Sequence, residues 1–138
     1  MADLLVNIDV DDLEAAVRFY TEAVGLSPGR RLGPDVAELR GASSPLYLIR
    51  RAAGTPPFAG AAPAREYRRH WTPVHLDFVV ADLPAAIRRA EAAGAAREGE
   101  VREFEWGRYL VMADPFGNGF CLLQFSGRGY AEIATSEG

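Results

Sequence analysis

The chain has 138 residues, a formal charge of −4 and 49% hydrophobic residues, the size of one domain that can bury roughly two-thirds of its unfolded surface without staples. The single cysteine, Cys121, excludes an internal disulfide, and no apolar run approaches the roughly 20 residues that span a bilayer. The fifteen basic residues, all arginine, are outnumbered by nineteen acids, so no basic field is left to attract nucleic acid; with no leader pattern at the start, these features predict a cytoplasmic protein with no membrane and no nucleic acid among its partners.

The first strand pattern is LLVNIDV, Leu4 to Val10. Alternation puts Leu5, Asn7 and Asp9 on one face and Val6, Ile8 and Val10 on the other, which must cover a helix. That helix follows at once: Asp12 is placed as its N-cap, Leu13, Ala16, Val17 and Tyr20 recur at helical spacing, and Gly25 is placed to stop it. AELRG and PLYLIRR are the next strand candidates. A stretch rich in Pro, Gly and Ala, Arg51 to Pro73, contains the connector over residues 57–72, and a connection of that length with no periodicity is often functional. The strand VHLDFVV, Val74 to Val80, sets His75, Asp77 and Val79 opposite Leu76, Phe78 and Val80. Asp82, then Pro84 in the first turn, open a second helix with Leu83, Ala86, Ile87 and Ala90 on its apolar face and Gly94 beyond its end. GRYLVMADPFGNGFCLLQF reads as a strand, a tight turn and a strand, and residues 127–138 form a tail.

The chain nearly repeats itself. VDDLEAAVRFYTEAVGL from Val10 lies above VADLPAAIRRAEAAGA from Val80, with Asp12 over Asp82, Leu13 over Leu83, Ala16 over Ala86 and Arg18 over Arg88. Two βαβββ halves, residues 4–56 and 73–126, within one α+β domain over 1–138 are the simplest explanation.

The same segment, together with ADPFGNGFCLLQF, resembles the vicinal oxygen chelate superfamily, which includes glyoxalase I, the bleomycin-resistance proteins and the extradiol dioxygenases. The resemblance covers Leu4 to about Phe125 and implies two βαβββ modules whose mixed sheets curl around a cavity, commonly completed by a homodimer. It also implies that the metal ligands of metal-using members would fall on Leu5, Tyr47, His75 and Cys121. Leu5 has no donor atom and Tyr47 is a poor ligand for a divalent ion, so one imidazole and one thiol remain where three or four ligands are required. No metal and no cofactor are expected.

Strand parity instead sends Asn7, Asp9, His75 and Asp77 together to the concave face, where burial without partners would cost several kcal/mol in total, so they should meet ligand, water or one another. His75 and Asp77 lie roughly 6–7 Å apart along the strand, which leaves Asp9 or a bridging water as the nearer partner of the imidazole. A carboxylate beside it would fix its tautomer and stabilise its imidazolium, as a general base needs. Tyr47, Trp71, Phe104, Trp106 and Cys121 are expected to join these residues around an organic ligand, with the acids Asp9, Glu103 and Glu105 favouring a positive charge. Two functions follow: a metal-independent protein that binds a drug or metabolite, or a glyoxalase I-like lyase or isomerase acting on a thiol conjugate or acyl metabolite with His75, supported by Asp77, as base.

Overall fold

A computed structural model describes residues 1–136. Strand β1 (Val6–Val10) leads into helix α1 (Leu13–Val24), then β2 (Ser27–Arg31), β3 (Val36–Arg40) and β4 (Leu46–Arg50). After the connector come β5 (Leu76–Val79), α2 (Leu83–Ala92), the short β6 (Ala96–Arg97) and β7 (Arg102–Phe104), the long β8 (Gly107–Ala113) and β9 (Gly119–Phe125), and a 3-10 turn over Gly129–Glu132. The class is α+β, with strands ordered β1-β4-β3-β2 in one sheet and β5-β9-β8-β6 in the other, β7 also pairing with β8. In each sheet the first strand runs parallel to the last, Asn7 opposite Tyr47 and Asp77 opposite Cys121.

Both helices start as their sequences dictate. The Asp12 carboxylate accepts the Ala15 N–H at 3.0 Å and the Asp82 carboxylate accepts the Ala85 N–H at 3.0 Å, each satisfying a first-turn donor that has no partner within the helix. Gly25 ends α1 in the left-handed region at φ 77°, where a Cβ would be strained. The two helices pack on each other and on their sheets. Val10, Leu13, Ala16, Phe19, Leu83, Ile87, Leu110 and Leu122 share one core with Val6, Ile8, Leu76 and Phe78 at its margin, so the apolar parity of both first strands is spent on the helices. Asn7 and Asp77 point away and stay exposed.

Three elements differ from the sequence reading. SPGRR forms β2 although every residue in it is exposed; an edge strand with no buried face has no alternation to detect. The strand between α2 and β8 is split into β6 and β7, both antiparallel to β8. The tail is folded as far as its 3-10 turn, Ser126 N–H donating to Trp106 O at 3.0 Å.

The two halves are joined by one buried carboxylate. Asp114, in the turn between β8 and β9, accepts the Phe116 and Asn118 backbone N–H groups at 2.8 Å each and the Asn118 side-chain amide at 2.9 Å. Its other oxygen also accepts the hydroxyl of Tyr20 on α1. Burial, with Asp114 alongside, raises the Tyr20 phenol well above its usual range, so it remains a donor. Replacing Tyr20→Phe removes one donor from a buried carboxylate and should lower stability by about 1–3 kcal/mol, seen as a lower urea midpoint with an unchanged slope. An unchanged midpoint would mean that the contact contributes nothing.

Candidate functional site

The open face of the second sheet forms a cavity of about 350 Å³, within the range of small-molecule sites. Its floor is β5 and β9: His75 just before β5, Asp77 within it, and Cys121 directly opposite Asp77. Trp106, Tyr109 and Tyr130 wall one side, and Trp71, from the end of the connector, also lines it at 79% exposure. His75 Nε2 lies 3.2 Å from Asp77 Oδ1, so the two side chains turn toward each other and the imidazole has its carboxylate from its own strand. Cys121 is only 6% exposed; burial, then the negative charge of Asp77 and a hydrogen bond to it, push its thiol up to about 12. A thiol so held is no nucleophile at neutral pH.

The aromatic wall is built by a tight turn. Phe104 pairs with Gly107 across two residues, and a Cβ on Gly107 would come within 2.4 Å of the Gln124 carbonyl oxygen, so only glycine lets this hairpin lie on β9. Trp106 then stacks on Phe104 with centroids 5.1 Å apart and planes within 6°, and Phe104 stacks on Tyr109 at 5.8 Å. Tyr130, from the segment read as tail, closes on Trp106 at 5.0 Å and edge-on to Phe125 at 4.8 Å. The connector supplies the remaining side. Arg69 lies across Gly119, where a Cβ would sit 2.4 Å from its guanidinium, and pairs with Glu98 at 2.8 and 2.9 Å, which neutralises it.

The expected residues are therefore divided among three places. His75, Asp77, Trp71, Trp106 and Cys121 line this cavity, with Phe104 supporting Trp106 from behind. Asp9 lines a separate cavity of about 400 Å³ beneath the connector, where Arg65 holds it at 2.8 Å. It is not the partner of His75, because β1 and β5 belong to different sheets and strand parity fixes a face without fixing which faces meet. Asn7 and Tyr47 pair on the first sheet, and the Tyr47 hydroxyl donates to Glu38 at 3.0 Å. Arg69, Thr72 and Tyr130 are lining residues that the sequence reading missed. For Arg69 and Thr72 the signal was only membership of a long connector, and for Tyr130 a lone aromatic among glycines.

The equivalent face of the first sheet is filled. Glu38 is 3% exposed beneath side chains that themselves face solvent: Arg30 at 2.7 Å, Arg40 at 2.9 Å and Tyr47. The Arg30 guanidinium and backbone N–H hold its carboxyl far below the usual carboxylate range. Tyr47 is thus committed to Glu38, and Leu5 carries no donor. On the second sheet, however, one donor atom each from His75, Asp77 and Cys121 lie within 4.8 Å of one another.

The model of the glyoxalase-like domain family matches residues 5–123. An uncharacterized protein of Mycobacterium bovis is 32% identical over 121 residues, 86% of this chain and 80% of the relative. Among solved structures, a glyoxalase-related enzyme from Fulvimarina pelagi superposes with a TM-score of 0.69 at 21% identity, over 90% of this chain and 88% of that one. A genomically encoded fosfomycin resistance protein of Listeria monocytogenes gives 0.68 at 14% identity, over 91% and 94%.

The Glu38 cluster makes an acid-side prediction. A carboxyl lowered in the folded state stabilises the fold above its unfolded value of about 4.3, and that contribution is lost as pH falls through the folded value. Glu38→Gln should lower the urea midpoint at pH 7, and the gap to the parent should narrow as pH is taken below about 4. A gap independent of pH would assign the loss to packing.

Proposed function

The chain belongs to the glyoxalase-like family within the vicinal oxygen chelate superfamily, and we propose that it is a cytoplasmic protein that binds a flat organic molecule, a drug or metabolite, without requiring a metal. The observation that carries this reading is the aromatic wall of the second-sheet cavity, Trp106 stacked on Phe104 beside Tyr109 and Tyr130. Aromatic faces take up flat rings and cations at low entropic cost. The floor adds a preference. Arg69 is already neutralised by Glu98, so among the described residues lining the cavity Asp77 is the carboxylate left to meet a ligand, with the His75 imidazole and the Cys121 thiol beside it, and a ligand with a cationic or N–H donor edge meets both features.

Two large apolar side chains at this face stand open, Trp71 at 79% and Val79 at 60% exposure. A homodimer that covers this face completes the proposal. Sedimentation at micromolar concentration should return a dimer, and a monomer there removes this part of the reading.

The chain has two tryptophans, Trp71 and Trp106, and both line this cavity, so intrinsic fluorescence reads its occupancy directly. Titration with a planar aromatic cation such as ethidium, after dialysis against a chelator, should quench that emission saturably. Trp106→Ala should weaken binding by about 1–2 kcal/mol. Emission unmoved by planar aromatics of either charge would defeat the binding reading.

The 3.2 Å approach of His75 Nε2 to Asp77 favours one second reading, a glyoxalase I-like lyase or isomerase with His75 as base. Asp77 would hold Nε2–H and leave Nδ1 free to accept a proton. His75→Gln then abolishes turnover of a hemithioacetal by folded protein, and a parent protein that turns none over removes this reading.

A further inference from the structure

We propose that the helix side of the second half carries a binding site for a small organic carboxylate, an acyl or aryl acid, separate from the aromatic cavity on the other face of the same sheet. A cavity of about 200 Å³ opens there beside α2 and β8, floored by Leu83, Ile87 and Val101 and rimmed by Arg88, Arg97 and Arg108. On β8, Arg108 shares its parity with the core residues Leu110 and Met112, whereas Tyr109 and Val111 turn to the aromatic cavity, so the two cavities lie on opposite faces. Among the described residues no carboxylate lines this one, although the chain has nineteen acids to fifteen arginines.

The charge at the rim selects an anion. Arg88 is exposed and takes part in none of the ion pairs among the described residues, Arg108 reaches Glu103 only at 3.7 Å, and Arg97 is held by Glu91 at 3.1 and 3.3 Å. The first-turn donors of α2 are already used, the Leu83 N–H by the Gln124 side chain at 2.8 Å and the Ala85 N–H by Asp82, so recognition falls to the guanidinium groups. A planar carboxylate suits their fork, and the apolar floor takes its tail. The volume is below that of drug-sized pockets, which limits the tail to a single ring or a short chain.

The first half supplies the contrast. With Leu13 over Leu83 in the repeat, Glu14 stands where Pro84 does; with Glu38 and Val111 at matched places in their sheets, Asp35 stands where Arg108 does. Glu14 binds Arg31 at 2.7 and 3.1 Å and Asp35 binds Arg50 at 2.8 Å, so these arginines of the first half are met by carboxylates of the fold itself. In the second half neither place holds a carboxylate and Gln124 faces Arg108. The acid that completes this site comes from outside the chain.

The test follows the backbone amide signals of isotope-labelled protein by NMR during titration with benzoate, with benzamide and inorganic phosphate as controls for the charge and for the ring. Benzoate should shift the signals of Leu83, Ile87, Arg88 and Val101 saturably, and its affinity should fall with added salt. Benzamide and phosphate should each bind at least about 10-fold more weakly, one lacking the charge and the other the ring. Arg88→Gln and Arg108→Gln, at side chains that reach solvent, should each weaken benzoate at least about 10-fold. Pro84→Glu, which installs the carboxylate that α1 carries at the same helical position, should abolish the shifts while circular dichroism shows the helix kept. Absence of saturable shifts at these residues, shifts that survive both arginine variants, or benzamide or phosphate binding as tightly as benzoate overturns the proposal. The indole signals of Trp71 and Trp106 report the aromatic cavity separately, and Trp106→Ala should leave benzoate binding here unchanged, so each reading can fail alone.

Discussion

The carboxylate of Asp114 is the constraint on which the rest of the molecule depends. A buried anion is tolerable only if donors surround it, and this one is met by two backbone N–H groups, an amide and the Tyr20 hydroxyl. The first three shape the turn that delivers β9, and therefore Cys121, to its place beside Asp77. The fourth comes from the other half of the chain. Around it Phe19 of α1 meets Phe116 and Phe120 edge-on, with centroids 6.3 and 6.2 Å apart. One polar knot inside an aromatic cluster thus fixes the floor of the cavity relative to the helix layer.

The connector extends the same order outward. Arg65, Tyr67 and Arg69, every second residue of this part of the connector, bind Asp9, the Arg51 carbonyl and Glu98. Alternation therefore holds the segment down on one side, and Trp71 continues the series into the cavity. A loop anchored at three successive alternate positions places its tryptophan far better than its length suggests. Its lack of a period for strand or helix concealed this, because each anchor is a polar contact to a residue distant in sequence.

Most of the fold was legible because it rests on local rules. The repeat, the Asp12 and Asp82 caps, Gly25 and the strand parity of Val6–Val10 and Leu76–Val79 all depend on neighbours within a few residues. The site was legible by face and not by meeting. His75, Asp77 and Cys121 share a cavity, but Asp9 went to Arg65 and Asn7 to a different sheet, since parity says which way a side chain points and nothing about what stands opposite. The 3.2 Å between His75 and Asp77 is shorter than their spacing along the strand because two flexible side chains converge. Glu38 was not visible as a buried group, because its burial is created by Arg30 and Arg40 arriving from other positions.

The matched rows of the two halves account for the filled face of the first sheet and the open face of the second. Asn7, Tyr47 and Glu38 lie in one row across the first sheet, and Asp77, Cys121 and Val111 in the corresponding row of the second. In the first row a large phenol and a carboxylate, bridged by arginines, close the concave surface with a satisfied ionic cluster. In the second, cysteine and valine are too short to do so, and the space above them becomes the cavity. The difference in size is also a difference in chemistry: with no tyrosine or glutamate in its row the second sheet offers arginines no such anchor, and Asp77 has an imidazole and a thiol beside it in place of guanidinium groups. On the same scaffold one half is thus plugged and the other open, according to whether tyrosine and glutamate or cysteine and valine stand at two matched positions of the row.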